Sequence, residues 1–361
     1  MNGGWRRSAA AAAAVCIAVG VAACGRSADS DSGGGASTTS DSGKKGVALI
    51  VAQGGLGDGS YNDLANRGFR AALARNGLSG RPVQSQDIVA QAKPILEQAS
   101  RGDFGLVVDL EFSHAETLGE VARAHPDVTY SILNTEVRGD NVVSVVFQEQ
   151  QSSYLAGYLA ARMTTERGDK LNPQPIIGVV GGTKSTGIDK FIVGYIQGAE
   201  AANPDVRVLT AYANSFADPT KGRQIAESMY ERGADIVYTV AGGTGAGVIQ
   251  AARAKDRYAI GVDDDQDGQA PGNVLTSAIK RTDLGVEQLV DGYADGSLRG
   301  GSTIVLGLRE GGVGISDLRY TREAIPAEVL TAVEEQRRGI EDGSIEVWNV
   351  IEQGYPDFYK G

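Results

Sequence analysis

Four short polar stretches in the sequence combine residue types that can grip a small molecule. The first runs Gln53-Gly54-Gly55-Leu56-Gly57-Asp58-Gly59-Ser60-Tyr61-Asn62. Its glycines permit close backbone approach, and Asp58, Tyr61 and Asn62 add a carboxylate, an aromatic face and an amide. It is not a phosphate loop, because the lysine and hydroxyl of G-x-x-x-x-G-K-[ST] and the spacing of G-x-G-x-x-G are both missing. The second, Ala241-Gly242-Gly243-Thr244-Gly245-Ala246-Gly247, is a turn whose backbone N–H groups can hold oxygen atoms. The third, Gly261-Val262-Asp263-Asp264-Asp265-Gln266-Asp267-Gly268, imitates the start of a calcium loop. Its twelfth position is Val274, where a bidentate glutamate is required. Asp263, ending a strand, instead suits the two hydroxyls of a vicinal diol. The fourth, Asn214-Ser215-Phe216-Ala217-Asp218-Pro219, reads as a helix start with Asp218 as cap and Pro219 in the first turn. Phe216 lies just before it and can stack on a planar base. Each stretch also has a plainer reading, with the glycines as tight turns and Tyr61 and Phe216 as packing residues.

Catalytic constellations are not visible. Gly182-Thr183-Lys184-Ser185-Thr186-Gly187 is not G-x-S-x-G. The two histidines, His114 and His125, read as surface or packing residues, and no acid/base pair stands out. Both cysteines, Cys16 and Cys24, lie at the N-terminus, so no disulfide, cysteine-based metal site or cysteine nucleophile is expected in the rest of the chain. No cofactor, metal or enzymatic activity is expected.

The elements that must position these loops alternate. Strands are predicted at 47–51, 104–110, 128–133, 142–147, 176–180, 206–212, 235–240, 258–262, 274–279, 302–308 and 346–351. Helices are predicted at 63–76, 151–164, 189–203, 219–232 and 246–255, with another ending near Ala124. Regular alternation with apolar strands implies α/β architecture, parallel sheets covered by helices on both faces. The pattern restarts near residue 148, which predicts two lobes. Ligands of open parallel sheets sit at the carboxyl ends of strands, so a cleft between the lobes is the expected site.

The N-terminus reads as an address and a tether. Arg6 and Arg7 precede an apolar run from Ala9 to Val21, too short for a comfortable span. Val21-Ala22-Ala23-Cys24 resembles a lipobox, so residues 1–24 are expected to be a signal peptide with Cys24 as the lipidated residue. Residues 25–45, rich in Ser, Gly, Asp and Thr, read as a flexible linker. The net charge is -11, and removing Arg6 and Arg7 takes it to -13. Such acidity argues against a nucleic-acid partner.

The loops, taken in order, resemble those of the basic membrane protein family, the purine nucleoside receptor A-like lipoproteins. The resemblance rests on Gly54 to Asn62, Phe147-Gln148-Glu149-Gln150-Gln151-Ser152-Ser153-Tyr154-Leu155-Ala156-Gly157, Ser215 to Gly222, Ala241 to Gly245, Gly261 to Gln266, and Leu275 to Arg281. It covers most of Val47 to about Arg309, and the motifs together are specific although each alone is weak. It implies a type I periplasmic-binding-protein-like fold of two Rossmann-like lobes joined by a hinge. The expected lobes are 46–148 with about 278–308, and 149–277 with about 309–361.

The resemblance also implies an extracytoplasmic, lipid-anchored, monomeric solute-binding protein that delivers a nucleoside to ABC permease subunits. Tyr61 and Phe216 would stack on the base and Asn62 would face it. Asp263 and Lys280 would hold the ribose, with Gly243 offering backbone groups. The chain departs from the family at Ala52 and Asn134, where aspartate is usual, and at Asp109 and Glu111, where small residues are usual. An amide donates and accepts where a carboxylate only accepts. The base is therefore open, as are a sugar or modified base as ligand and a role as a ligand-sensing surface receptor.

Overall fold

Runs such as Val47-Ala48-Leu49-Ile50 and Ile236-Val237-Tyr238-Thr239-Val240 are buried at every position. Strands of that kind must lie in a sheet covered on both faces. The computed structural model describes residues 45–360, and places these runs in two six-stranded sheets. The predicted signal peptide, Cys24 and nearly all of the linker lie outside the described residues.

The first half of the chain gives β1 (Gly46–Ile50), α1 (Tyr61–Asn76), β2 (Gly80–Val83), α2 (Ala92–Arg101), β3 (Phe104–Asp109), α3 (Ala115–Ala124), β4 (Thr129–Leu133), β5 (Val142–Phe147) and α4 (Glu149–Met163). Then follow β6 (Ile176–Gly181), α5 (Thr186–Ala202), β7 (Arg207–Tyr212), α6 (Pro219–Glu231), β8 (Ile236–Val240), α7 (Gly245–Lys255), β9 (Tyr258–Asp263) and β10 (Val274–Lys280). The chain ends with α8 (Thr282–Asp295), β11 (Ser302–Leu306), β12 (Val313–Ile315), α9 (Ala327–Asp342) and α10 (Val350–Gln353).

One sheet has the order β11-β5-β4-β3-β1-β2 and the other β12-β10-β9-β8-β6-β7. All pairings are parallel except β10 with β12. The chain thus passes between sheets three times, at Phe147–Glu149, at Lys280–Thr282 and between β11 and β12. β2 escaped the periodicity because it is short and contains Pro82; it lies at a sheet edge, where a missing N–H costs little.

Residues 346–351 are not a strand. Their alternating apolar pattern imitates one, but Asn349 accepts the Ile351 N–H and starts α10, and the segment packs on α5 rather than on a sheet edge. The helices beneath the crossovers pack closely. A Cβ at Gly157 would stand 2.0 Å from the Tyr195 carbonyl oxygen, and one at Gly198 2.0 Å from that of Tyr154. Only hydrogen at these positions lets α4 and α5 touch backbone to backbone.

Candidate functional site

The glycine-rich loop after β1 is shaped by its own polar side chains. Asp58 accepts the N–H groups of Ser60, Asn62 and Asp63 at 2.9–3.1 Å, which caps α1 where no side chain of Ser60 does. Asn62, 1% exposed, accepts the Ala52 N–H and donates to Gln53 O and Asp58. Four glycines with positive φ, at 54, 55, 57 and 59, carry the chain round this tight path. Tyr61 then opens the helix, donates its hydroxyl proton to Leu110 O and accepts from Asn134 Nδ2.

Across from it, Asp218 caps α6 by accepting the Lys221 N–H, with Pro219 in the first turn, as its residue types predict. The preceding Phe216 rests in a cradle of glycines. A Cβ at Gly182 would fall 2.2 Å from the Phe216 ring, and Gly54, Gly242 and Gly243 approach its backbone or Cβ. β9 ends at Asp263 with φ +66, a left-handed conformation uncommon outside glycine. Its Oδ2 accepts from Ser60 Oγ at 2.7 Å. Gln266 Nε2 donates to Gly59 O, and Arg67 pairs with Asp264 at 2.8 Å. These three links join the first lobe's loop and helix to the end of β9, so the lobes are drawn together over the site.

The two lobes enclose a cavity of about 180 Å³. The first lobe supplies Ala52, Gln53, Asp58, Tyr61, Asn62, Leu110, Glu111, Phe112, Asn134 and Thr135. The second supplies Thr186, Gly187, Ile188, Lys190, Phe191, Phe216, Val240 to Gly242, Val262, Asp263 and Lys280. Seven of the nine residues singled out from the sequence therefore meet on one cavity: Asp58, Tyr61, Asn62, Asn134, Phe216, Asp263 and Lys280.

Asp109 does not line it. Its carboxylate is fully buried and holds His114 Nδ1 at 2.8 Å and the Glu111 N–H at 2.9 Å. His114 Nε2 faces Ile88 O at 2.8 Å, so the ring lies between two acceptors. Burial alone would lower the His114 pKa, but Asp109 and the Ile88 carbonyl raise it. Glu111 is the acid of this pair that lines the cavity, with its carboxylate accepting from Gln53 N, Ser113 N and Ser113 Oγ. Gly243 is likewise displaced from the lining by its neighbour Gly242.

The sequence reading missed a buried charge cluster. Glu149, at the first crossover, takes Lys280 at 2.7 Å and Lys190 at 2.8 Å. Lys190 also donates to Phe147 O. Burial pushes Glu149 up, but the two ammonium groups outweigh it and hold it at about 2. Lys280 faces the rings of Tyr61, Phe147 and Phe191 at 5.1–5.3 Å. Burial raises Asp263 to about 6, against the opposing pull of Lys280 and the Ser60 bond. Glu149 stood within the crossover motif, so a signal existed. Lys190 and Phe191 sit inside a helix, and nothing in their local sequence marks them.

Among the described residues no cluster of His, Cys, Asp or Glu could hold a metal ion, and no helix is long and apolar enough to cross a membrane. Strands ending at a cleft between two α/β lobes, lined by aromatics and a few fixed polar groups, define a two-lobed solute-binding protein. The comparisons give the particular family. Residues 45–346 match the model of the ABC transporter substrate-binding protein PnrA-like family, and the chain belongs to it. A "CD4+ T-cell-stimulating antigen" of Listeria monocytogenes is 35% identical, covering 83% of this chain and 87% of the relative. The "ABC transporter nucleoside-binding protein BmpA" of Lactococcus lactis is 31% identical, covering 83% and 88%. Among solved structures, an ABC transporter system solute-binding protein from Aeropyrum pernix superposes with a TM-score of 0.76 at 28% identity, covering 84% of this chain and 93% of that one. Membership implies a small-molecule ligand, permease partners and a place outside the cytoplasm.

Proposed function

We propose that this chain captures a nucleoside, with purine nucleosides the first candidates, and presents it to the permease of an ABC importer while anchored by lipid at Cys24. The observation that carries the reading is the meeting, on one cavity between the lobes, of the aromatic faces of Tyr61 and Phe216 with Asp263 and Lys280. Aromatic faces suit a planar base, and a carboxylate beside an ammonium suits a ribose diol. Four acids line the cavity, Asp58, Glu111, Glu149 and Asp263, against two lysines, Lys190 and Lys280. That balance disfavours a phosphate, so a nucleoside fits better than a nucleotide. The name of the Lactococcus relative supports the same reading.

A second reading, another small polar solute such as a sugar or modified base, is favoured by Glu111 and by Asn134, whose Oδ1 is buried without a hydrogen-bond partner. An acceptor left open there wants a donor from the ligand. In either case the monomeric chain alternates between open and closed lobes, and the ligand favours closure by its greater affinity for that state.

Calorimetric titration of the chain from Gly25 onward, unfolded and refolded to strip carried-over ligand, tests the reading. The panel is purine and pyrimidine nucleosides, their free bases, ribose and other sugars. Binding of one nucleoside with ribose silent is the expected result. Silence from every nucleoside while a sugar binds would replace it with the second reading.

A further inference from the structure

The family match ends at residue 346, but the chain beyond it returns to the cavity. Ile351, in α10, lines the same space as Tyr61, Phe216 and Asp263. It is also 51% exposed, although it is held in an ordered turn. An apolar residue that touches both a ligand cavity and solvent stands at the cavity's rim.

The segment that carries it is fixed at both ends to α5, the helix that gives the cavity Thr186, Gly187, Ile188, Lys190 and Phe191. Upstream, Gln197 donates to Glu346 O and accepts the Trp348 N–H. Trp348 Nε1 reaches forward to Gly354 O and closes the turn. Downstream, Asp189 in the first turn of α5 accepts the hydroxyls of both Tyr355 and Tyr212. Tyr359 shares a hydrogen bond with Tyr212, and Lys184 Nζ donates to Tyr359 at 2.6 Å while lying 3.2 Å from Asp189. The Tyr355 and Tyr359 rings stack 5.3 Å apart, with the Lys184 ammonium over both. This clasp of one carboxylate, one ammonium and three phenols has partners beyond the charge pair, so solvent screening weakens only part of it.

We infer that the C-terminal segment is a wall of the binding site, with Ile351 as a specificity-determining residue that shields the α5 side of the cavity and meets the apolar part of the ligand. The clasp at Lys184, Asp189, Tyr355 and Tyr359 positions it. The ligand contact rests on the solute-binding reading above; the shielding does not.

The absence of cysteine after Cys24 provides a ligand-free test. Gly187 lines the cavity, and a Cβ there meets nothing within 4 Å. In the chain from Gly25 onward carrying Gly187→Cys, the labelling rate by a maleimide of nucleoside size reports how open that side is. Adding Ile351→Ala should speed labelling severalfold, Ile351→Trp should slow it, and Tyr355→Ala, which loosens the clasp, should act like Ile351→Ala. Because Ile351 is half exposed, thermal unfolding should barely move for its variants, which separates shielding from folding. Labelling rates equal across the Ile351 pair would overturn the inference. With adenosine, guanosine, cytidine and uridine as probes, Ile351→Ala should weaken the bound nucleoside about threefold to tenfold. If the parent binds none of the four, the nucleoside reading fails, while the labelling rates still decide the role of the segment.

Discussion

The two walls of the cavity use similar polar residues for different ends. On the first-lobe wall, the side chains of Asp58, Asn62 and Glu111 are taken up by backbone groups within the same lobe. They hold a glycine-rich path in one shape, and only Asn134 keeps a buried oxygen without a partner there. On the second-lobe wall, Asp263, Lys280 and Lys190 reach across to Ser60, Glu149 and Phe147. Their partners lie on the other lobe or at the crossover, where the chain passes between the two sheets. One wall therefore builds a surface, whereas the other ties its charges to the first lobe and the crossover. A residue's type says little about which task it serves; the lobe on which its partner lies says more.

Substitutions can break or sharpen this contrast. The largest effect is expected for Glu149→Ala, which strands two buried lysines and should cost about 3–5 kcal/mol in denaturant unfolding. A loss below about 1 kcal/mol would mean that water already reaches the cluster. Asp263→Ala comes next, with an expected loss of about 100-fold or more in nucleoside affinity by calorimetry, from two charge-assisted hydrogen bonds. Unchanged binding would remove the ribose role.

The same carboxylate sets a pH dependence. Its pKa rises on folding to about 6, so the neutral form's contribution to stability is complete below the unfolded value and is lost as pH rises through about 6. The ligand-free protein should thus lose thermal stability from this group between about pH 4 and 6. Nucleoside affinity should rise over the same interval, as the ionised acceptor forms. Asp263→Asn should flatten both trends.

On the opposite wall, Asn134→Ala should weaken the nucleoside about tenfold, since its Oδ1 has no protein partner, and should cost about 1 kcal/mol in thermal stability, since its Nδ2 bond to the Tyr61 hydroxyl is lost. An effect as large as that of Asp263→Ala would reverse the ranking of the two walls. The smallest change is expected for Asp58→Ala, a lost helix cap worth about 1–2 kcal/mol in stability. Its affinity effect should follow only from the shape of the loop.

Much of the frame was legible locally. The apolar runs of β1, β8 and β9 required covered parallel strands. Asp218 followed by Pro219 announced the start of α6, and Phe216 before it had to lie in a loop at a strand end. Position 346–351 misled because alternation in six residues cannot distinguish a strand from a turn that packs one face on a helix.

The sequence by itself determined the two α/β lobes, the polar loops at their strand ends and the order of motifs that marks the family. Tertiary structure alone decided which of two neighbouring acids faces the cavity. Asp109 turns inward to His114, and Glu111, two residues on, lines the cavity. It alone joined Glu149, Lys190 and Lys280 into one charge cluster, and carried Ile351 back to the rim. The reason is physical: periodicity follows from covalent geometry within one element, whereas the direction and ionisation of a buried polar group depend on partners from other elements.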